Sequence, residues 1–474
     1  MWTVSDLLEG CHGKRGEKTP LAGEVSGFSI DSRTIQPNAM FIALDGPRFD
    51  GHDFVEEALR KGGAGAIVSA AAFQEREKQW RPYFASHYFV RVEDPLKALQ
   101  ALAAWHRRRF RCPLIGITGS NGKTTTKEIT AAILGQSGPV LKTKGNLNNH
   151  IGLPLTLLGL NKDHGAAVLE MGISQKGEMR RLCDIAAPTV GLITNIGSAH
   201  LEGLDDLEGV GREKGVLFES LGPGGTAVIN RDDRFLNRWM QGLSRKWTFG
   251  LDPESDITAE NIDAGREGVR FRLLRKRNGN AAEEIRLPMP GKHQIVNALG
   301  AAAVAASLGC GIQETAAGLA AFRPMPRRME IFKTKGLTLL FDAYNANPDS
   351  VYAALQLLSS YPKASGARIA VLGEMLELGR FRESAHFQVG MQAAGFGIDR
   401  LFCLGASAER TADGARQGGM TPDVVSVHPD LESLAASLKK VLAKGDTLLL
   451  KGSRAIRMEH LLPDLGIGAK SNVL

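Results

Sequence analysis

The chain has 474 residues, of which 43% are hydrophobic and 23% are charged, and it carries a formal net charge of +7. This length suggests about three domains rather than one, and the composition excludes a disordered or fibrous protein. The five cysteines are scattered without a Cys-x-x-Cys pair, the N-terminus is not signal-like and no apolar run approaches about 18 residues, so we expect a cytoplasmic protein without structural zinc or a membrane span.

Residues 1–90 are predicted to form a small α/β domain. Short apolar segments at 40–44 and 64–68 have strand patterns. Two polar turns, at 29–33 and 45–54, lie beside these strands, and such loops either cap helices or bind a ligand. Both roles stay open from the residues alone. The candidate binding residues in the two turns are Ser29, Asp31, Ser32, Arg33, Gly46, Gly51 and His52.

A helical pattern over residues 94–111 is predicted to connect this domain to the next. It ends in the basic run 107–111, where arginines and an aromatic residue combine as in some nucleic-acid sites. The solvated end of a helix explains such a run better. We therefore expect no nucleic-acid partner.

The most informative stretch is GITGSNGKTTTKE at residues 116–128, between a strand pattern and a helical one. Glycines in such a turn let backbone N–H groups face a phosphate, and the helix N-terminus adds a partial positive charge. Lys123 adds a full charge and Thr124 offers a hydroxyl to magnesium. The usual spacing has a glycine where Ile117 stands, and here Gly116 comes one place earlier. An ordinary glycine turn with a solvated lysine is the alternative. The ATP-binding candidates are Gly119, Ser120, Asn121, Gly122, Lys123, Thr124 and Thr125.

Alternating strand and helix patterns follow, with strands predicted at 166–169, 190–196 and 225–229. The alternation favours a doubly wound parallel sheet, in which ligands bind beyond the carboxyl ends of the strands. Glu170 directly follows one of these strands. It is a candidate magnesium partner, and a carboxylate that caps a helix is the alternative.

Three further features stay ambiguous from the residues alone. His200 follows another strand, but a lone histidine is more often structural than a ligand. Lys214 lies in a helical pattern, where a solvated lysine is the default. The loop at 142–154 contains Asn146 and Asn149 among its three asparagines, and a surface turn is its simplest interpretation.

The last part of the chain alternates again and predicts a Rossmann-like domain, although it lacks a Gly-x-Gly-x-x-Gly turn. Before it, a charge-rich segment at 252–286 has no clear pattern, an alanine-rich helix opens within 288–300, and a proline and arginine linker spans 323–328. Asn347, followed by a proline, can cap a helix. The predicted strands are 337–341, 368–372, 401–404, 424–427 and 447–450.

Several of these motifs together resemble the Mur ligases, a family of amide-bond-forming ATPases. The shared features follow one another in the same order: the loop GxTGxxGKT, the asparagine loop TxGNxNN, the Glu170 segment, NIGSAHLE at 195–202 and the Lys214 helix. The resemblance implies a UDP-substrate-binding domain at 1–90, a central ATP-binding domain at 91–322 and a C-terminal Rossmann-like ligand domain at 323–474.

The resemblance also implies roles for single residues. Magnesium would bind Thr124, Glu170 and His200, and Lys214 would be a carbamoylated lysine, formed with carbon dioxide, that acts as a negative group near the metal. His200 as a ligand depends on the resemblance alone, because magnesium prefers oxygen. The implied catalytic residues are Lys123, Lys214, His200 and Arg328. The implied ATP-site residues outside the glycine loop are His293, Asn297, Arg328 and Asp342. Asn146 and Asn149 would join the two N-terminal turns in binding the UDP substrate.

Three C-terminal motifs narrow the expectation within the family: DAYNANPDS at 342–350, GEMLELG at 373–379 and KGSRAIRME at 451–459. They resemble the branch that joins D-alanyl-D-alanine to a UDP-N-acetylmuramoyl tripeptide. Relatives commonly have a second acid at the position of Phe341, but strand alternation puts Phe341 on the face opposite the next residue, an aspartate. The dipeptide and tripeptide region would include Tyr344, Asn345, Asn347 and Lys451.

The expected protein is thus an α/β enzyme of three domains, a monomer that uses ATP and Mg²⁺. It would form an acyl phosphate on one small-molecule substrate and an amide with the amine of the other, in peptidoglycan precursor synthesis. A sister ligase that adds the third amino acid of the peptide is the nearest alternative. A P-loop kinase or a nucleotide switch is a more remote one.

Overall fold

The computed structural model of the chain describes residues 2–16, 23–334, 336–363 and 366–467. Within these residues the chain forms three mostly parallel sheets in succession, with a small two-stranded sheet near the N-terminus. Helices alternate with strands in each part, which confirms the predicted α/β class. In the described ranges, no helix combines the length and the apolar character that crossing a membrane requires.

The N-terminal part combines a small sheet with short helices. Its elements are β1 Trp2–Thr3, α1 Val4–Gly10, β2 Lys14–Arg15, β3 Glu24–Val25, β4 Gly27–Ser29, β5 Ala39–Ile42, α2 Val55–Arg60, β6 Gly65–Ser69, α3 Ala70–Glu75, α4 Glu77–Trp80, β7 Tyr88–Val92 and α5 Pro95–Arg108. The sheet order is β2-β7-β6-β5-β4, with β2 antiparallel to its neighbour. The strands predicted at 40–44 and 64–68 and the connecting helix predicted at 94–111 are confirmed as β5, β6 and α5. Asp94 caps α5 by accepting the N–H groups of Leu96 and Lys97.

The central part is a long sheet with helices on it. Its strands are β8 Leu114–Thr118, β9 Val140–Lys142, β10 Ala166–Glu170, β11 Val190–Ile193, β12 Thr226–Asn230, β13 Lys246–Phe249, β14 Ile257–Ala264, β15 Val269–Arg275 and β16 Ala281–Leu287. Its helices are α6 Lys123–Leu134, α7 Gly152–Leu157, α8 Glu178–Ala186, α9 Leu201–Leu204, α10 Leu207–Glu219, α11 Lys292–Ser307 and α12 Ile312–Ala321. The strand order is β16-β15-β14-β13-β12-β11-β8-β10-β9. The carboxyl ends of β8, β10 and β11 therefore meet at one edge, where a ligand would bind.

Two predictions for the central part need correction. The strand predicted at 190–196 ends at Ile193, because the next residues turn over the glycine loop, where the Asn195 carbonyl accepts the N–H of Ser120 at 2.9 Å. The segment at 252–286, which has no clear sequence pattern, forms most of the three strands β14, β15 and β16. These strands run antiparallel to one another and extend the sheet.

Helix α11 explains the alanine-rich stretch of the sequence. Twelve of its sixteen residues are buried. Gly300 lies so close to the sheet that a Cβ atom there would be 3.1 Å from the ring of Phe249. Small side chains let a helix approach a sheet this closely. The N-terminus of α11 is thereby fixed beside the edge of the sheet that bears the glycine loop.

The C-terminal part is a second alternating unit. Its elements are β17 Glu330–Thr334, β18 Leu337–Asp342, α13 Pro348–Ser359, β19 Arg368–Gly373, α14 Arg382–Gly395, β20 Arg400–Leu404, α15 Ala408–Gln417, β21 Val425–His428, α16 Leu431–Val441 and β22 Thr447–Lys451. The sheet order is β17-β18-β22-β19-β20-β21, with β17 antiparallel. All five predicted strands are confirmed, and β17 is an addition. Asn347 caps α13 with Pro348 in its first turn, as predicted.

Candidate active site

The loop between β8 and α6 has a backbone that requires its glycines. Gly119 has a φ of +143°, and a Cβ atom there would lie 1.8 Å from Thr194 Oγ1. Gly122 has a φ of +80°, and a Cβ atom there would lie 2.2 Å from Asn297 Oδ1. An L side chain fits neither position. The N-terminus of α6 thus lines a cleft in the conformation that favours a phosphate.

Lys123 begins α6, and its ammonium group bends back over the loop. Its Nζ donates to the carbonyl of Gly119 at 2.7 Å and to that of Ser120 at 3.2 Å. Burial lowers the pKa of Lys123, whereas the negative charge of Glu170 opposes this shift. The loop carbonyls therefore hold a cation at the place where a nucleotide phosphate would approach.

Glu170 and Thr124 are in direct contact at the edge of the sheet. The Thr124 hydroxyl donates to Glu170 Oε2 at 2.6 Å, and Asn148 Nδ2 donates to Glu170 Oε1 at 2.8 Å. The N–H of Glu170 donates to Thr143 Oγ1 at 2.9 Å. Arg328 from the linker donates to Thr124 Oγ1 at 2.8 Å. The carboxylate that the sequence places after β10 is thus held against the glycine loop, and the predicted helix cap is not its role.

His200 lies at the start of α9 in a left-handed conformation, with a φ of 60°. Its Nδ1 forms a hydrogen bond with Glu377 Oε2 from the C-terminal part. Burial lowers the pKa of the His200 ring, the hydrogen bond with Glu377 opposes this shift, and the nearby Lys123 ammonium adds to it. The ring is therefore favoured in the neutral form, which can act as a ligand.

Lys214 is a fully buried lysine whose amine has no hydrogen-bond partner in the described part of the chain. Its side chain is 0% exposed, and its Nζ has no hydrogen-bond partner. Burial depresses the pKa of Lys214 well below its usual value, and the charge of Lys123 adds to the effect. The expectation of a solvated helix lysine is therefore wrong. A buried amine without a partner is unfavourable as an ammonium ion.

His293 and Asn297 lie on the first turns of α11, beside the loop. Asn297 Nδ2 donates to Gln294 Oε1 at 3.0 Å, and Gln294 Nε2 is 2.9 Å from His293 Nε2. The Thr126 hydroxyl reaches Asn297 Oδ1 at 3.4 Å. Desolvation by the surrounding protein lowers the pKa of His293, although its side chain stays open to the cleft. His293, Gln294 and Asn297 line the cavity beside the glycine loop.

The C-terminal part contributes a set of charged and polar groups. The guanidinium of Arg328 lies over the ring of Tyr344 at 4.0 Å from its centroid. The buried Lys451 lies 3.0 Å from Asp342 Oδ2 and donates to the carbonyl of Asn345. Asp342 is partly exposed to the cleft, whereas the preceding residue, Phe341, is 1% exposed on the other face of the strand. The predicted alternation is therefore confirmed.

The start of α13 contacts the glycine loop directly. Asn347 Nδ2 donates to Asn121 Oδ1 at 2.9 Å, while Asn347 Oδ1 caps its own helix. Asp349 Oδ2 accepts the N–H of Ser198 at 2.9 Å. The C-terminal part thus rests on the loop that is expected to hold ATP.

The first N-terminal turn is tied together by its own side chains. Arg33 donates to both carboxylate oxygens of Asp31, at 2.9 and 2.8 Å, and these hydrogen bonds lower the pKa of Asp31 to about 2. The Ser29 hydroxyl donates to the carbonyl of Asp31, and the buried Ser32 donates to Glu57. The guanidinium of Arg33 remains 80% exposed and is accessible to an anion.

The second N-terminal turn is held by the buried His52. Its Nδ1 lies 2.6 Å from Asp50 Oδ1, and its Nε2 accepts the N–H of Ser69 at 3.0 Å. Both ring nitrogens therefore have partners within the protein. Gly46 and Gly51 belong to the same turn, and a Cβ atom at Gly51 would lie 2.5 Å from a backbone carbonyl. His52 is placed to shape this loop rather than to present a free nitrogen.

A cavity of about 750 Å³ between the central and C-terminal parts joins most of the predicted residues. The predicted residues that line it are Ser120, Asn121, Gly122, Lys123, Thr124, Thr125, Asn149, Glu170, His200, His293, Asn297, Arg328, Asp342, Tyr344, Asn345 and Lys451. Gly119, Asn146, Lys214 and Asn347 lie outside its lining, as do the N-terminal turns. The sequence did not single out Asn148, Asn195, Gln294, Glu178 and Asp349, which also line it. Glu377 was missed as well, although it belongs to the GEMLELG motif.

The donor groups at the loop fit a magnesium ion bound together with phosphate. Thr124 and Glu170 present oxygen atoms, and magnesium usually takes one or two carboxylates with substrate phosphates. The unpartnered amine of Lys214 would repel such an ion as an ammonium, but it would offer oxygen as a carbamate. The mostly buried ring of His200, whose pKa is lowered, is compatible with a further ligand role.

Three domain models of one family match successive parts of the chain. The model described as Mur ligase family, catalytic domain matches residues 24–107. The Mur ligase middle domain matches residues 117–305, and the model described as Mur ligase, glutamate ligase domain matches residues 327–454. The matched ranges follow the three sheets described above.

Curated relatives and solved structures agree with these models over almost the whole chain. The chain is 37% identical to the UDP-N-acetylmuramoyl-tripeptide--D-alanyl-D-alanine ligase of Escherichia coli K12, covering 93% of this chain and 95% of the relative. It is 35% identical to the Bacillus subtilis 168 protein of the same name, with 98% of each chain covered. A crystal structure of MurF from Acinetobacter baumannii superposes with a TM-score of 0.86 at 30% identity, covering 98% of each chain. MurF from Thermotoga maritima in complex with ADP gives a TM-score of 0.77 at 28% identity, covering 92% of this chain and 96% of the other. The chain therefore belongs to the Mur ligase family.

Proposed function

We propose that this protein is an ATP-dependent ligase that joins D-alanyl-D-alanine to UDP-N-acetylmuramoyl tripeptide in peptidoglycan precursor synthesis. The observation that carries the proposal is the single cavity that brings the GKT loop and the C-terminal DAYN and KGSR motifs together. The near full-length similarity to ligases of that name, at 32–37% identity, supports the same activity.

In this function the ATP phosphates bind at the N-terminus of α6. Lys123 stabilises the charge that develops on the transferring phosphoryl group, and Arg328 adds a second cation from the linker. The carboxylate of the tripeptide attacks the terminal phosphorus and forms an acyl phosphate with release of ADP. The amine of D-alanyl-D-alanine then displaces phosphate from the acyl carbon and forms the amide. The reaction needs no covalent enzyme intermediate.

Thr124, Glu170 and His200 would hold Mg²⁺, and a carbamate on Lys214 would act beside it. The metal would neutralise charge on the phosphate oxygens when bound. The hydroxyl of Thr124 and the carboxylate of Glu170 are already in contact, so both are oriented for such a site. The neutral amine that a carbamate requires is favoured by the buried, unpartnered position of Lys214.

His293 and Asn297 would face the adenine end of ATP, and Asp342 would complete the nucleotide site. Tyr344, Asn345 and Lys451 would form the dipeptide and tripeptide region, with Asn347 holding the loop that bears them. The exposed guanidinium of Arg33 would bind the UDP end, together with the two N-terminal turns. Asn149 lines the cavity and supports a role in binding the muramoyl substrate. Asn146 lies outside the lining, and its contact with that substrate stays a prediction.

This assignment divides the chain at residues 90 and 322 into a UDP-substrate domain, an ATP domain and a ligand domain. The helix α5 and the 323–328 linker are the expected connections. We further propose that the enzyme acts as a monomer in the cytoplasm, where its nucleotide-linked substrate would be found.

One experiment separates this function from its rivals. The purified protein is given ATP, Mg²⁺ and UDP-N-acetylmuramoyl tripeptide, with and without D-alanyl-D-alanine, and ADP release and product mass are measured. A ligase forms the pentapeptide amide only when both substrates are present. A kinase would retain a phosphorylated product without any amine. The sister ligase would instead use the muramoyl dipeptide and a single amino acid.

A further inference from the structure

A hydrogen bond joins the C-terminal part to the expected metal site. It connects Nδ1 of His200 to Oε2 of Glu377, two residues that lie 177 positions apart. Glu377 belongs to the loop between β19 and α14, and none of the roles assigned above includes it. The His200 side chain is 19% exposed and that of Glu377 is 55% exposed, so a mostly buried ring meets a carboxylate that is open to solvent.

The backbone at both ends of this contact is held in an uncommon conformation. His200 and Glu377 have φ values of 60° and 61°, in the left-handed region that residues with side chains rarely adopt. Such conformations persist where the surrounding structure imposes them, and they cluster at functional sites. The contact is therefore more than the chance meeting of two flexible surface side chains.

The loop that carries Glu377 packs closely against α9, the short helix that follows His200. The carbonyl of Glu377 accepts the N–H of Glu202 at 3.1 Å. Gly379, with a φ of +51°, approaches so closely that a Cβ atom there would lie 3.0 Å from the Cα of Glu202. Backbone contacts thus fix the main chain of Glu377 beside the segment that carries His200.

We propose that Glu377 is a positioning residue for the ligase reaction, which orients His200 from the C-terminal part of the chain. By accepting the Nδ1 proton it selects the tautomer in which Nε2 carries the free electron pair. Nε2 has no hydrogen-bond partner among the described residues, and His200 lines the cavity. A carboxylate behind a histidine ligand fixes its ring and raises its basicity. The inference rests on the proposed function, in which His200 binds the metal.

If Glu377 orients His200, its removal changes metal affinity and not only the stability of the fold. The metal site is complete only when the C-terminal part is seated on the central part. In this proposal, loss of the carboxylate lowers metal affinity by releasing the His200 ring, although its negative charge also acts on Lys123. Partners of this kind change metal affinity or activity by about 10- to 100-fold when they are removed.

The test measures binding of Mn²⁺ to the full-length protein in the presence of ADP, by electron paramagnetic resonance. Glu377→Ala is expected to weaken Mn²⁺ binding about 10-fold or more. Glu377→Gln keeps an oxygen acceptor at the same distance from His200 Nδ1 and should retain most of the affinity for Mn²⁺. Glu377→Asp has a side chain one methylene shorter and should lose that affinity. Glu383→Ala removes an exposed carboxylate of the same region and serves as the matched control. Wild-type affinity in Glu377→Ala, or retention by the aspartate variant and loss by the glutamine variant, would overturn the proposal.

A double-mutant cycle with His200→Ala tests whether Glu377 acts through the histidine. If it does, adding Glu377→Ala to His200→Ala changes the Mn²⁺ affinity by less than about twofold. If the two losses multiply, the residues act independently and the proposal fails. The measurement uses no ligase substrate, so a protein that binds Mn²⁺ with ADP but forms no amide would refute the proposed function alone.

Discussion

Lys123 and Lys214 are two lysines near one cleft whose surroundings suit opposite roles. Lys123 donates to two loop carbonyls and stays beside the open cavity. Lys214 is fully buried and its amine has no partner. The first is suited to remain a cation that meets phosphate, and the second is suited to lose its proton and react with carbon dioxide.

Replacement of Lys123 by alanine is expected to abolish turnover while the fold is retained. The ammonium contacts a loop and not the core. In the proposed reaction its charge faces the transferring phosphoryl group. Loss of one such preorganised charge costs on the order of 3 kcal/mol, or about a hundredfold in rate. Release of ADP and the thermal unfolding midpoint should be measured together. Lys162→Ala removes an exposed lysine and serves as control. Near-normal turnover in Lys123→Ala would remove the basis of the proposed function.

Activity is expected to depend on dissolved carbon dioxide through Lys214. Carbamate formation consumes the neutral amine, which burial already favours. Lys214→Ala should be inactive with ATP in excess, and Lys214→Glu should recover part of the rate because it restores a negative oxygen donor. Peptide mass spectrometry after chemical trapping should locate the carbamate. A fully active alanine variant in carbon-dioxide-free buffer would show that no carbamate is needed.

The loop from β8 to α6 leaves no room for a side chain at Gly119. We expect Gly119→Ala to lower the free energy of unfolding by about 1–3 kcal/mol, because its positive φ and the nearby Thr194 both exclude a side chain. ADP binding should weaken at the same time. Gly222→Ala is the matched control, since a Cβ atom there would meet nothing within 4 Å. Equal unfolding curves for the two variants would show that the loop adapts to a side chain. Calorimetry with ADP and chemical denaturation provide the two measurements.

Elements with apolar runs and clear ends could be predicted from the sequence. The strands β5, β8, β10, β12 and β18 to β20 are such runs, and polar turns bound them. The strands β14 to β16 were not predicted from the sequence because their exposed faces carry charged residues. In β15 the buried Val269, Phe271 and Leu273 alternate with exposed arginines, a period-two pattern that the charge count obscured.

The candidate site was predictable where one local motif carries the chemistry, as in the GKT loop. Its remaining partners come from distant segments, and no local pattern reveals which residues they contact. Asn148 and Glu377 are examples, because their importance lies in contacts with Glu170 and His200. The resemblance to the family supplied Lys214 as a site residue, whereas its residue pattern alone predicted a solvated lysine.

At the scale of the whole molecule, the UDP end of the tripeptide substrate and ATP are expected to bind to separate parts of the chain. Arg33→Ala should therefore raise the KM for the UDP substrate and leave the KM for ATP unchanged. His52→Ala should act in the same direction but indirectly, because His52 holds Asp50 and the N–H of Ser69. Initial-rate measurements with each substrate varied in turn provide the test, and Arg60→Ala, an exposed arginine of the same part, is the control. A raised KM for ATP alone would show that the N-terminal part has been assigned wrongly.

The contacts of the C-terminal part with the glycine loop bear on how much ATP is hydrolysed for each amide bond formed. Asn347 donates to Asn121, and Arg328 donates to Thr124. The loop that is expected to hold ATP is therefore in contact with the part of the chain that bears the proposed dipeptide motifs. An acyl phosphate is hydrolysed when water reaches it before an amine does. If the proposed sites are right, we expect the carboxylate to be activated only while the amine-binding surface is close, so that little ATP is hydrolysed without forming an amide.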